Sequence, residues 1–209
     1  MLPGIALTTV CLAALLYAER RGEQRLQWAA KPLASLGFLL AAHAQGALAG
    51  PYGQAIFAGL CLSTVGDVLL MWRSQAPFLA GLGAFLLGHV AYATAFVLRG
   101  VGLSVTLASA ALLAIPASVV VRWLWPHVPG PMRAPVLAYV LVISAMVALS
   151  LGTVSKLGGA AIVLGAAMFY ASDLSVARDQ FVRREFANRL WGLPLYYAAQ
   201  HVLASTVGP

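Results

Sequence analysis

Two carboxylates lie inside apolar runs long enough to cross a bilayer: Asp67, in Ser63-Thr64-Val65-Gly66-Asp67-Val68-Leu69-Leu70-Met71, and Asp173, in Phe169-Tyr170-Ala171-Ser172-Asp173-Leu174. An ionisable group at such a depth is costly to keep and marks a functional site by default. The sequence holds six acidic residues, and these two are the ones outside its short polar loops. Two carboxyl groups sharing a low-dielectric site repel one another when both are charged, so such a pair keeps one proton near neutral pH. One can then donate a proton while the other stays ionised, which is the equipment of general acid-base catalysis.

Spacing brings further polar groups to the same level. Asp67 lies six positions before Arg73 and Asp173 five before Arg178, which puts both acids roughly 7 to 9 Å inside the nearer membrane edge at the helical rise per residue. Lys31 opens its apolar segment from that side. Tyr196 and Tyr197 follow Arg189 by seven and eight positions, roughly 10 to 12 Å in. The plainer reading of this layer is structural, with the acids paired to Lys31 or capping helices and the tyrosines forming an interfacial belt. A second, deeper set comprises His43, His89, Tyr92, Gln200 and His201. Three histidines near the bilayer centre suit zinc through neutral imidazole. No two of them share a helix at HxxxH or HExxH spacing, so a metal site requires three helices to converge. Hydrogen bonding within the bundle is the commoner use of such residues, and the site is read without a metal or other cofactor. No GxSxG elbow, P-loop or GxGxxG occurs, and Ser150 and Ser172 have no readable nucleophile context.

The elements that must position these groups follow from composition. Of the 209 residues, 61% are hydrophobic and 9% charged, against about 25% charged in a soluble domain. Eight apolar segments can be drawn, at about 3–18, 30–49, 53–72, 78–98, 102–123, 133–150, 158–177 and 190–207. The fold class is therefore all-α: a single domain over 1–209, a bundle of eight transmembrane helices, with Pro116 expected to kink the fifth. Met1 to Ala18 lacks a basic n-region and reads as a retained helix. Cys11 and Cys61 fall in apolar segments, as small hydrophobes do.

The net charge of +7 is carried by residues in the gaps between apolar runs, a pattern of membrane orientation and not of nucleic-acid binding. Eleven basic residues mark the odd-numbered connections, and only Arg99 and Lys156 mark the even ones. The positive-inside bias then puts the odd loops in the cytoplasm and both termini outside, in a bacterial inner membrane. Small residues four apart, Gly59 with Ser63, Ala84 with Gly88 and Gly46 with Gly50, read as close helix packing.

Taken together, Lys31-Pro32, Gly66-Asp67 with Leu70-Met71, the run from Phe78 to Tyr92 with Phe85, Gly88-His89 and Tyr92, then Ser172-Asp173, and Leu193-Pro194-Leu195-Tyr196-Tyr197-Ala198-Ala199-Gln200 resemble the YhhN family of integral membrane proteins, which includes lysoplasmalogenases. The similarity covers nearly the whole chain; the fifth segment and the linker from Trp125 to Pro131 carry no motif of the family. The resemblance implies an eight-helix bundle and hydrolysis of the vinyl ether bond of lysoplasmalogens, giving a fatty aldehyde and glycerophosphoethanolamine or glycerophosphocholine.

That reaction suits the acids already singled out, because protonating the alkene carbon and then adding water needs a general acid and a nearby carboxylate. Asp67 and Asp173 are the candidate catalytic residues. Lys31, His89, Tyr92, Tyr196, Tyr197 and Gln200 are the candidate substrate-binding or supporting residues. The expected partners are a lysophospholipid substrate and membrane lipid, with the phosphate near Lys31, Arg73 or Arg178. The alternative is a proton- or cation-coupled transporter or a lipid-binding membrane protein without hydrolase activity, in which the acids carry protons or ligate a cation.

Overall fold

Eight α-helices follow one another through the described residues of the computed structural model, 1–72, 74–154, 156 and 159–208. They are α1 (Leu2–Arg21), α2 (Gln24–Ala44), α3 (Pro51–Leu69), α4 (Gln75–Arg99), α5 (Leu103–Leu124), α6 (Arg133–Gly152), α7 (Gly159–Ala177) and α8 (Phe186–Ser205). Six of them, α1 and α3 to α7, are long and apolar enough to cross a membrane. Helices α2 and α8 fall below that standard because they carry polar groups, among them Lys31 and His43, and Asn188, Gln200 and His201. Lys31, Asn188 and Gln200 are buried, so this polarity is turned toward the protein and not toward lipid.

Local signals explain the boundaries. Gly22 ends α1 in the left-handed conformation, Pro51 occupies the first turn of α3, and α5 continues as helix through Pro116. The second helix ends at Ala44, short of the expected 49, because the chain turns at Gly46 with φ 81°. Gly46 and Gly50 thus serve a turn and not helix packing. The last helix is longer than expected at its start, since a π turn at Arg178–Val182 leads almost directly into it.

The helices pair as the hairpins α1–α2, α3–α4, α5–α6 and α7–α8; α4 packs on α6, and α8 lies additionally against α1, α2 and α3. The main core draws on seven helices, with Leu15, Phe38, Ile56, Leu60, Phe169 and Leu203 inaccessible to solvent. Helix α5 sits outside, against α6, with only Ala117 and Leu124 buried among its described residues. At one end of the bundle, the Arg99 guanidinium lies 4.6 Å above the Tyr52 ring and donates to the Thr206 carbonyl, while the Tyr52 and Thr206 hydroxyls are 2.6 Å apart. This clasp ties α3, α4 and the end of α8 together, opposite the end where the acids lie.

Helices α3 and α4 meet through the small residues picked out in sequence. A Cβ on Gly88 would lie 3.4 Å from the Gly59 carbonyl and 3.4 Å from Ser63 Oγ, and one on Gly59 would enter the Tyr92 ring. Gly59→Ala should therefore destabilise the protein by about 1–3 kcal/mol, read as a lower thermal midpoint in detergent. Gly83→Ala, at a position where an added Cβ meets nothing, should leave the midpoint unchanged or slightly raised. Equal midpoints for Gly59→Ala and the wild type would show that the interface is not close-packed there.

Candidate active site

Asp67 sits in the last turn of α3 and is 2% exposed. A carboxylate that dry needs donors, and α2 and α8 supply them. Lys31 Nζ is 3.2 Å from Oδ1, while the Ser35 hydroxyl donates to Oδ2 at 2.7 Å and the Tyr196 hydroxyl donates to Oδ2 at 2.6 Å. Lys31 and Ser35 are one helical turn apart and so share a face of α2. The Tyr197 hydroxyl lies behind this cluster, donating to the Lys31 carbonyl at 3.2 Å.

Asp173 keeps different company. The Tyr139 hydroxyl of α6 donates to its Oδ2 at 2.6 Å, and His89 Nε2 of α4 lies 3.2 Å from Oδ2 and 2.9 Å from the Tyr139 oxygen. Both contacts fall on one oxygen. The two polar layers expected from spacing are not separate, since His89 of the deeper set meets Asp173. Helix α7 runs on through the π turn to Val182, so Asp173 lies nine residues from the end of the helical rod, roughly 13 Å, whereas Asp67 lies two residues from the end of α3. Arg178, the presumed edge marker, is inside that rod, and His89 therefore meets Asp173 instead of lying beyond it.

An aromatic cluster separates and supports the two carboxylates. The Phe169 ring, fully buried, packs edge-on at 4.6 Å from His89, 5.4 Å from Tyr196, 6.1 Å from Tyr92 and 6.2 Å from Phe85. Tyr92 donates to Gln200 Oε1 at 2.7 Å in the interior. These rings hold Tyr196 and His89 in place without competing for hydrogen bonds.

Both acids line one cavity. Its volume is ≈ 100 Å³. The polar wall is Lys31, Asp67, Tyr139, Asp173, Arg189 and Tyr196; Phe78, Leu82, Val120, Leu124, Val136 and Ile143 make the apolar wall. A chamber with a charged pole and a greasy pole fits an amphiphile better than a simple ion.

Four residues singled out in sequence, Lys31, Asp67, Asp173 and Tyr196, thus meet on the cavity wall. His89 and Tyr197 stand one contact behind it, and the Tyr92–Gln200 pair is deeper still. The three histidines considered as metal ligands have unrelated surroundings: His43 is exposed, His89 is with Asp173, and His201 Nε2 is 2.8 Å from the Thr8 hydroxyl. Among the described residues no group of three or more His, Cys, Asp or Glu side chains is placed to hold a metal ion. Arg73 lies outside the described residues. Two site residues escaped the sequence reading. Ser35 carried a signal, its spacing of four from Lys31; Tyr139 carried none beyond being a lone tyrosine in an apolar segment.

Acids satisfied on one side and opening onto an apolar cavity on the other, within a bundle of membrane-crossing helices, place this chain among multi-pass membrane proteins with an intramembrane polar site. The chain belongs to the YhhN family, which it matches over residues 26–207. It is 33% identical over 180 residues to lysoplasmalogenase TMEM86A of Bos taurus, covering 83% of this chain and 73% of that protein. Over 216 residues it is 32% identical to the lysoplasmalogenase of Mycobacterium bovis, covering 96% of this chain and 77% of the other. To human lysoplasmalogenase TMEM86B it is 32% identical over 155 residues, 72% of this chain and 62% of that one. No solved structure matches the chain.

The Lys31–Asp67 contact predicts a stability signature. Lys31→Met leaves a buried carboxylate without its cation and should cost about 3–5 kcal/mol, measured by denaturant titration in micelles. Adding Asp67→Asn to Lys31→Met should recover most of that loss. A Lys31→Met protein as stable as the wild type would show that the charge on Asp67 does not depend on the lysine.

Proposed function

We propose that the protein is a membrane-embedded hydrolase that cleaves the vinyl ether bond of lysoplasmalogens, giving a fatty aldehyde and a glycerophosphodiester such as glycerophosphoethanolamine or glycerophosphocholine. The substrate class comes from the relatives named lysoplasmalogenase. The observation that carries the mechanism is that Asp67 and Asp173, each with its own donors, line the same amphiphilic cavity.

The two acids divide the work according to their neighbours. Asp67, facing an ammonium and two hydroxyl donors, is the anionic member. Asp173, which among the described residues is held on Oδ2 alone and has no lysine or arginine against it, is the proton donor. Its proton passes to the alkene carbon remote from oxygen; the π electrons form the new C–H bond, and an oxygen lone pair forms the oxocarbenium. The Asp67 carboxylate stabilises that cation and takes a proton from the water that adds to it. In the resulting hemiacetal the hydroxyl proton returns to Asp173, the C–O bond to glycerol breaks, and the glycerol oxygen takes the proton held by Asp67. Both acids end as they began, with one water consumed. Tyr139 and His89 hold Asp173 after it has lost its proton. The hydrocarbon tail packs against Phe78, Leu82, Val120 and Leu124, and the loop charge bias supports an orientation with the acid-bearing end of the bundle toward the cytoplasm.

Asp67→Asn and Asp173→Asn preserve size and remove the titrating group. Each should lower turnover by at least about a hundredfold, measured as head-group release from a lysoplasmalogen in detergent, with the protein eluting as a folded species. In detergent no transport is possible, so product formation by the wild type also excludes a purely transporting role. Wild-type turnover by either folded variant would remove that residue from the chemistry.

A further inference from the structure

The hydrolysis assigned above leaves one charged group of the cavity wall without a role. Arg189, in the first turn of α8, lines the cavity with its side chain 28% exposed. Its Nη2 donates to Asp179 Oδ2 at 2.8 Å, and the other oxygen of Asp179 accepts from Asn188 Nδ2 at 3.1 Å. Asn188, 1% exposed, is itself held by the Arg183 carbonyl at 2.8 Å and by Arg178. The π turn that carries Arg178 and Asp179 therefore fixes one edge of the Arg189 guanidinium. A guanidinium has five N–H donors in a planar fork, and the one contact it makes among the described residues, to Asp179, leaves most of them for a ligand.

Among the described residues, Lys31 and Arg178 are committed elsewhere. Lys31 is 7% exposed with its ammonium on Asp67, and Arg178 donates to Asn188 and Glu185 and does not line the cavity. The segment 178–189 that carries Arg189 is net positive, so the local balance favours an anion. Along α8, Arg189 precedes Tyr196 by two turns, roughly 10 Å. A three-carbon glycerol unit and the reach of the arginine side chain together cover that span.

We infer that Arg189 is the phosphate-binding residue of the site: its guanidinium takes the phosphodiester of the lysophospholipid head group and sets the vinyl ether against Asp67 and Asp173. This rests on the lysophospholipid reading of the cavity, and Asp179 and Asn188 act by positioning the arginine.

The test measures binding, so that it stands apart from catalysis. The probes are a saturated-ether lysophospholipid, which cannot be hydrolysed at a vinyl ether, and the matching 1-alkylglycerol, which lacks the phosphate. Arg189→Gln should weaken lysophospholipid binding by about 10- to 100-fold, the worth of a charge-assisted hydrogen-bonded contact, and change alkylglycerol binding less than about twofold. Arg189→Lys, which keeps the charge and the Asp179 pairing, should recover part of the loss, and Arg184→Gln, at an exposed position, should match the wild type. Inorganic phosphate at the lipid's concentration should not compete. Equal weakening toward both probes would make Arg189 structural, no weakening would remove it from the head-group site, and competition by inorganic phosphate would assign it to a free anion. A wild-type protein that binds the lysophospholipid through Arg189 but never cleaves a vinyl ether would overturn the hydrolase reading and leave this one standing.

Discussion

A lysine and an aspartate 3.2 Å apart, both nearly out of reach of water, set the terms for the rest of the bundle. Taking two such charges into an apolar interior costs several kcal/mol for each ion, and their attraction offsets this only if the remaining lone pairs and protons are also satisfied. Here the extra donors are Ser35, on the same face of α2, and Tyr196 of α8. Three helices are therefore bound to one carboxylate. Helices α2 and α8 give up the apolar character that would mark them as ordinary spans, and α8 takes a central place where its tyrosines, Asn188 and Gln200 have partners.

The second carboxylate is held by α4 and α6, and the contrast between the two settings is what the proposed division of labour rests on. Asp67 is surrounded by the Lys31 ammonium and two hydroxyl donors, while among the described residues Asp173 is held on one oxygen only. Phe169 and the rings around it keep the two sets of donors apart, and the cavity joins them on the open side. The two carboxylates, their donors and the apolar chamber thus come from different helices meeting at one place, which is why neither acid carries a recognisable local motif.

That dispersal also decides what could be read before the structure. Helix number, the two acids, Lys31 and Tyr196 were legible, because an ionisable group in an apolar run announces itself. Depth was less so. Counting residues to the nearest arginine failed for Asp173, since the helix does not stop at Arg178 but continues as a π turn to Val182. His43 and His89 look alike in sequence, each a lone histidine in an apolar segment, and only the packing separates the exposed one from the one on Asp173. Tyr139 gave no signal because its partners are on α4 and α7, far along the chain. Arg189 read as a loop charge, its place on the cavity wall being set by the turn before α8.

The central claim, acid hydrolysis of a vinyl ether by proton transfer to carbon, is tested most directly by running the reaction in deuterium oxide and trapping the aldehyde at once by reduction. Protonation at carbon predicts one deuterium on the carbon next to the former carbonyl, with slower turnover than in ordinary water. An aldehyde formed at full rate with no deuterium at that carbon would contradict the account, because the C–H bond would then not come from an exchangeable carboxyl proton.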